Sequence, residues 1–372
     1  MKKLSCFLGF VCMAVAYSAS TVEIEALRSR VQGSSAELTA SEKGVISKFW
    51  STTLDQMLLT ESSKECVEVR KQLAEQKGSE YLSYYATAYI AEAKSAIGAA
   101  FEDAKRMENS QQRQVIKRNL MILTAEMESP SLASLALQRL DAEDDVTRYW
   151  AFKAVTDSLV IRQLTSDVTG DEKTTEAILT AFKERVPVET QTPIQKMVVR
   201  FCMAFDDPLA RDILLLIADR RIKAYGDWTV RDEMLDVSLL TALGNVAMFQ
   251  QDPTHKRVFG RKFAELYALA IQRYLKGKDA FSKGEVEQLL TVIAEVDQNV
   301  LGKTMGIKTG VMQALRTKRG LEREYEVLFG DRMRSGQLAE KFKFDYGKDA
   351  SGKPITAPPE LGLMPENIVR QD

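Results

Sequence analysis

Histidine is almost missing from this chain: His255 is the one imidazole in 372 residues. One imidazole cannot build a multi-histidine metal site, and Asp252-Pro253-Thr254-His255 reads as a helix start with the ring in a surface first turn. No metal and no cofactor is expected. Cysteine is scarce too, with four in all. Cys6 and Cys12 fall in the first twenty residues, which leaves Cys66 and Cys202, too few for a disulfide framework. In an open array of repeats, residues 136 positions apart (202 less 66) lie far beyond the ~7 Å between Cα atoms that a disulfide requires. Two separate, buried thiols are therefore expected. Charge of one sign is lacking as well: 51 basic residues face 52 acidic ones, a formal net charge of −1. That balance gives no electrostatic reason to expect nucleic acid, and short basic groups such as Arg220-Arg221-Lys223 read as solvated helix faces.

Long hydrophobic runs are absent after the amino terminus. The most apolar stretch, Ile213 to Ala218, is six residues flanked by charges, so no transmembrane segment is expected. Residues 1–20 are different. Lys2 and Lys3 precede an apolar run from Leu4 to Ala16, and small residues follow at Ser18, Ala19 and Ser20. This is the pattern of a cleaved secretory signal peptide. The expectation is an exported protein of the periplasm or the extracellular space, whose mature part carries −3 once the two lysines are removed.

Proline and glycine, nine and twenty in the whole chain, are sparse between residues 22 and 329, and alternating strand patterns are missing. What is there is helix after helix. Thr39-x-x-Glu42 reads as a capping box, Asn109 and Ser129-Pro130 as helix starts, and Asp141 to Asp145 as an acidic turn. Further helices are predicted near 173–185, 193–205, 208–223, 230–249, 254–275, 283–298, 304–316 and 321–333. Beyond Gly336 the composition shifts: Pro354, Pro358, Pro359 and Pro365 fall close together, and residues 336–372 are expected to be an extended or disordered tail.

Three helix starts, at Ser129, Gly170 and Asp206, are spaced about 40 residues apart, and each opens an apolar face. The segment from Pro130 to Leu159 resembles a HEAT repeat. Its second helix follows an acidic turn with Val146, Arg148 and the small-apolar run Ala151 to Val155, although Tyr149 and Trp150 are bulkier than the family's alanine-rich pattern. The resemblance implies an α-α superhelix or solenoid of antiparallel helix pairs, an all-α fold. It also implies a structural ladder in which Asp144 or Asp145 pairs with Arg148. Ala96 to Ala104 bears a weaker resemblance to the second helix of a tetratricopeptide repeat. The resulting organisation is a signal peptide at 1–20, an N-terminal helical segment at 21–108, HEAT-like repeats at 109–335 and a tail at 336–372.

Catalytic motifs are few. Gly302-Lys303-Thr304 lacks the earlier glycine of a phosphate-binding loop, whose place Asp297 holds, and no strand precedes it. There is no Gly-x-Ser-x-Gly elbow. The expectation is therefore no enzyme but a protein-binding scaffold of the cell envelope with an unknown protein partner, since stacked repeats form long concave surfaces. Two alternatives stay open: an all-α enzyme acting on glycan or peptide through an unidentified carboxylate pair, and a purely structural envelope component. Tyr81, Tyr84, Tyr85 and Tyr89 are the candidate binding residues, because 81, 85 and 89 share one helical stripe with 84 beside them. Core packing with the hydroxyls directed outward is the competing reading.

Overall fold

The structure is a computed structural model that describes residues 21–31, 34, 36–78, 83–317 and 319–365. Residues 1–20 and Tyr81 lie outside the described residues, and with them the signal-peptide expectation and one of the four tyrosines. The fold is all-α, and no β-strand occurs among the described residues. No described helix is long and apolar enough to cross a membrane.

The chain forms two compact units, residues 1–181 and 182–372. The division falls inside a helix at Glu172–Arg185. The first unit holds α1 (residues 21–31), α2 (Ala40–Leu59), α3 (Ser63–Glu75), α4 (Tyr84–Lys105), α5 (Ser110–Glu126), a 3₁₀ turn at Pro130–Leu132, α6 (Ala133–Leu137), α7 (Asp145–Thr156) and α8 (Ser158–Leu164). Their starts follow local chemistry. Thr39 and Glu42 close a reciprocal capping box on α2, and Asn109 accepts from the backbone of Gln111 and Gln112 to open α5. α2 packs on α3, α4 on α5, and α6 on α7, and the pairs stack through helices two places apart. One row runs α2, α4 and the 3₁₀ turn, the other α3, α5 and α7. An amphipathic helix pair cannot cover its own apolar face, and the next pair covers it.

The second unit repeats that arrangement. After α9 (Glu172–Arg185), which spans the division, come α10 (Thr192–Cys202), α11 (Pro208–Gly226), α12 (Met234–Phe249), α13 (Pro253–Gly277), α14 (Lys283–Glu295), a π-helical segment at Val296–Thr304, α15 (Val311–Thr317), α16 (Leu321–Phe329) and α17 (Gln337–Phe342). α10 packs on α12 and α12 on α14, while α11 packs on α13 and α13 on α16 and α17. Within each unit this helix-on-helix packing is consistent with a solenoid-like arrangement. α12 carries one charge, Asp236, in sixteen residues, and accordingly is covered by α10, α11, α13, α14 and the π segment. At Gly244 an added methyl would stand 2.5 Å from Val300 Cγ1, so this glycine sets how closely the π segment seats on α12.

Two stretches depart from the sequence reading. α12 begins at Met234 rather than near residue 230, because the preceding backbone serves buried arginines. Arg221 donates to the carbonyls of Arg231 (2.9 Å) and Asp232, and Arg273 donates to that of Trp228 (3.3 Å). Trp228 and Asp232 are held at φ of +58° and +50° to make those turns. The tail is extended for much of its length but is not unpacked. α17 follows Gly336, Phe342, Phe344, Tyr346 and Leu361 are buried, and residues 359–362 are hydrogen-bonded to α13 and Trp228.

Candidate binding cleft

The tyrosine stripe is resolved by burial. Tyr85 and Tyr89 are core residues, stacked at 5.8 Å, with Tyr89 also 5.1 Å from Trp50. Their hydroxyls donate to Gln76 O (3.0 Å) and Leu73 O (2.6 Å), and Arg28 donates to Glu75 O (2.7 Å). These are the carbonyls left over at the end of α3, which have no partner within the helix. Burial pushes both phenols up, Tyr89 well above its ordinary range. Of the stripe's three described tyrosines, Tyr84 is exposed, whereas Tyr85 and Tyr89 are buried and offer no surface. Those two terminate a helix.

Of the two pairings the resemblance implies at the acidic turn before α7, Asp145 with Arg148 is present. Asp144 caps α7 by accepting from Thr147 N (2.9 Å), and its carboxylate takes a two-pronged contact from Arg118 on α5 and a bond from Gln114 (3.0 Å). Arg148 donates within its own turn, to Asp145 and to Ala142 O (2.7 Å). Arg118–Asp144 links neighbouring helix pairs, and Asp145–Arg148 joins residues three apart on α7. The Arg118 hydrogen bonds, opposed by partial burial and reinforced by Thr147, hold the Asp144 carboxyl far below the usual range.

His255 stands exposed in the first turn of α13, 3.1 Å from Asp252. Cys66 and Cys202 are buried free thiols, and burial raises both above the ordinary thiol range. Among the described residues no group of three or more His, Cys, Asp or Glu side chains is arranged to hold a metal.

Among the described residues, a feature with binding geometry lies in the second unit, where the α10–α11 turn meets the end of α12. A cleft of about 420 Å³ opens there, with Cys202, Leu214 and Ala242 among its buried lining. α10 was expected to reach Phe205, but it stops at Cys202, because Pro208 at the first turn of α11 holds Asp207 extended and Asp207 caps α11. Met203 and Phe205 are thereby placed on a turn instead of a helix. Phe205 stacks on Phe201 at 4.7 Å, which fixes one wall. Met203 is 42 % exposed, and Phe249, the last residue of α12, is 69 % exposed. Arg211, paired to Asp206, and Asn245, Gln250 and Gln251 supply polar groups around this apolar surface.

Such a lining accepts an apolar or aromatic side chain and offers hydrogen bonds to the peptide around it. It provides little for bond making. Cys202 is a buried thiol held protonated, and Asp206 is the one carboxylate in the lining, already paired with Arg211. Sequence reasoning missed these residues. The signal was the apolar helix ending in Met248-Phe249 and followed by Gln250-Gln251, but the exposure of Phe249 depends on where its neighbours stop.

A scan against protein-family models finds no match to this chain, and a search of curated proteins finds no relative.

Proposed function

We propose that the chain is an exported, HEAT-like helical-repeat protein that acts without catalysis, as a protein-binding scaffold of the cell envelope. In this reading a protein partner docks at the α10–α12 cleft. The observation that carries it is the presence of two exposed apolar side chains, Met203 and Phe249, at one indented apolar floor. One exposed apolar residue is ordinary, whereas several around a concavity mark an interaction site. The HEAT-like assignment is supported by the two rows of helices in each unit. In the first, pair-opening elements begin at residues 40, 84 and 130, 44 and 46 positions apart, against about 40–47 for HEAT and armadillo arrays. Export is supported by the basic and apolar pattern of residues 2–16.

The rival enzyme would need two convergent carboxylates. One pair of carboxylates that act on each other is Asp297 with Glu324, where burial first and the charge of Glu324 after it raise the Asp297 carboxyl against the opposing Thr309 bond. Both are engaged structurally: Asp297 accepts from the Thr309 hydroxyl and Glu324 from Gly310 N (2.7 Å). They pin the chain that enters α15.

The test is affinity capture from the envelope fraction with the mature chain and with the Met203→Asp, Phe249→Asp variant. Because both positions are solvent-facing, the variant should keep its stability to within about 0.5 kcal/mol while losing a stoichiometric protein partner. A partner retained by the variant, or retention on glycan with no protein, would overturn the reading.

A further inference from the structure

Independently of the cleft, one segment of the second unit is bound to its neighbours in the manner of a peptide ligand. Between residues 357 and 365 only Pro358 and Leu361 are buried, three positions apart, and Pro359, Glu360, Gly362 and Leu363 face solvent. The backbone between these anchors is held by side chains of α13. Gln272, itself buried, uses both ends of its amide: Nε2 donates to Pro359 O (3.1 Å), and Oε1 accepts from Leu361 N (2.5 Å). Nε2 also contacts the hydroxyl of Tyr325 at 2.7 Å, which fixes the amide's orientation. Lys276 donates to Leu361 O and to the Glu360 carboxylate (2.9 Å), and Trp228 Nε1 donates to Gly362 O (3.2 Å).

A segment integrated into a core buries most of its side chains. This one buries two and is gripped mainly through main-chain groups, with one exposed acidic contact to Lys276. Main-chain hydrogen bonds from fixed side chains plus two spaced apolar anchors are how extended peptides are recognised. The preceding chain is secured separately: Tyr346 N donates to Ile355 O (3.0 Å), Ile355 N to Gly347 O (2.8 Å), and the Thr356 hydroxyl to Asp331 O (2.6 Å). Release of residues 357–365 therefore leaves the turn before them anchored.

We propose that the surface made by Gln272 and Lys276 of α13 with Trp228 of the α11–α12 connection is a docking site for an extended Pro-x-x-Leu segment with an acidic residue before the leucine, and that the chain's own Pro358-Pro359-Glu360-Leu361 occupies it in cis. A partner segment of the same chemistry binds by displacing this strap. Tethering gives the strap an effective concentration of about millimolar, so the closed form dominates until a competitor of higher affinity arrives.

The experiment uses a synthetic peptide with the sequence of residues 355–365 and two forms of the protein in which the strap is disabled. One ends at Thr356, and the other is the full chain carrying Leu361→Asp. Calorimetric titration should show one-to-one binding to both forms, at least ten-fold weaker binding to the unaltered chain, and at least ten-fold weaker binding of a peptide whose leucine is replaced by aspartate. Both forms should melt cooperatively. Folded forms that do not bind the peptide, or that bind the aspartate peptide equally, would overturn the proposal. So would loss of the cooperative melt in both, since the strap would then be part of the core.

Discussion

Asp236 has no exposed surface, and its carboxylate is shared by Arg221 (2.7 Å to each oxygen) and the Tyr225 hydroxyl (2.7 Å). Arg273 and Glu233, both buried, form a second ion pair at 3.3 Å beside it. A buried pair adds little net stability over an apolar one, but removing one partner strands the other charge. Asp236→Ala is therefore expected to lower the unfolding free energy by about 3–5 kcal/mol, whereas Tyr225→Phe should cost about 1 kcal/mol. Urea denaturation of the two variants checks the ratio. Asp297 makes the opposite case. Its carboxyl is raised in the folded state, chiefly by burial, so the native chain holds that proton more tightly than the unfolded one. The associated stability is fully present below the ordinary carboxylate pKa of about 4 and is lost as pH rises through the elevated folded value. Asp297→Asn, which keeps an acceptor for Thr309, should melt higher than the natural chain at pH 7. The gap should close below about pH 4. Thermal melts across that range measure it.

Among the elements, α3 depends on a neighbouring helix for its ending. Tyr89→Phe would leave Leu73 O without its donor in a buried setting, which is expected to cost about 1–3 kcal/mol by chemical denaturation. The π segment depends on Gly244 in a comparable way. Gly244→Ala drives a methyl into Val300 and is expected to destabilise by about 1–3 kcal/mol even though alanine is the better helix former. Much at this scale is legible in the sequence. Thr39 with Glu42, Asn109, Ser129-Pro130 and Asp207-Pro208 mark helix starts through contacts of two or three residues, and those starts are observed. What was illegible depends on partners far along the chain. The late start of α12 is set by Arg221 and Arg273, and the order of residues 357–365 by Gln272, Lys276 and Trp228, the last of them 134 positions from Gly362. The tyrosine spacing likewise told which residues share a face, not whether that face is covered. Asp144 or Asp145 was read as the partner of Arg148; Asp145 takes it, while Asp144 is paired with Arg118 of α5, a contact that helix spacing alone does not show.

For the whole molecule, each unit is a pair of helix rows, and the proposed binding surface belongs to the second. It arises where α10 and α12 end close together, one at Cys202 just before Met203 and the other on Phe249. The all-α class was readable because periodicity is a property of every window of the chain, whereas a cleft depends on several helix ends at once. The account stands or falls on whether that cleft meets a protein. The direct measurement is photocrosslinking in the cell, with a photoreactive residue placed in turn at Met203, at Phe249 and, as a control, at Val168, which is 85 % exposed in the first unit. The account predicts one shared protein adduct from Met203 and Phe249 and none from Val168. No adduct from the two cleft positions, or the same adduct from all three, would contradict it.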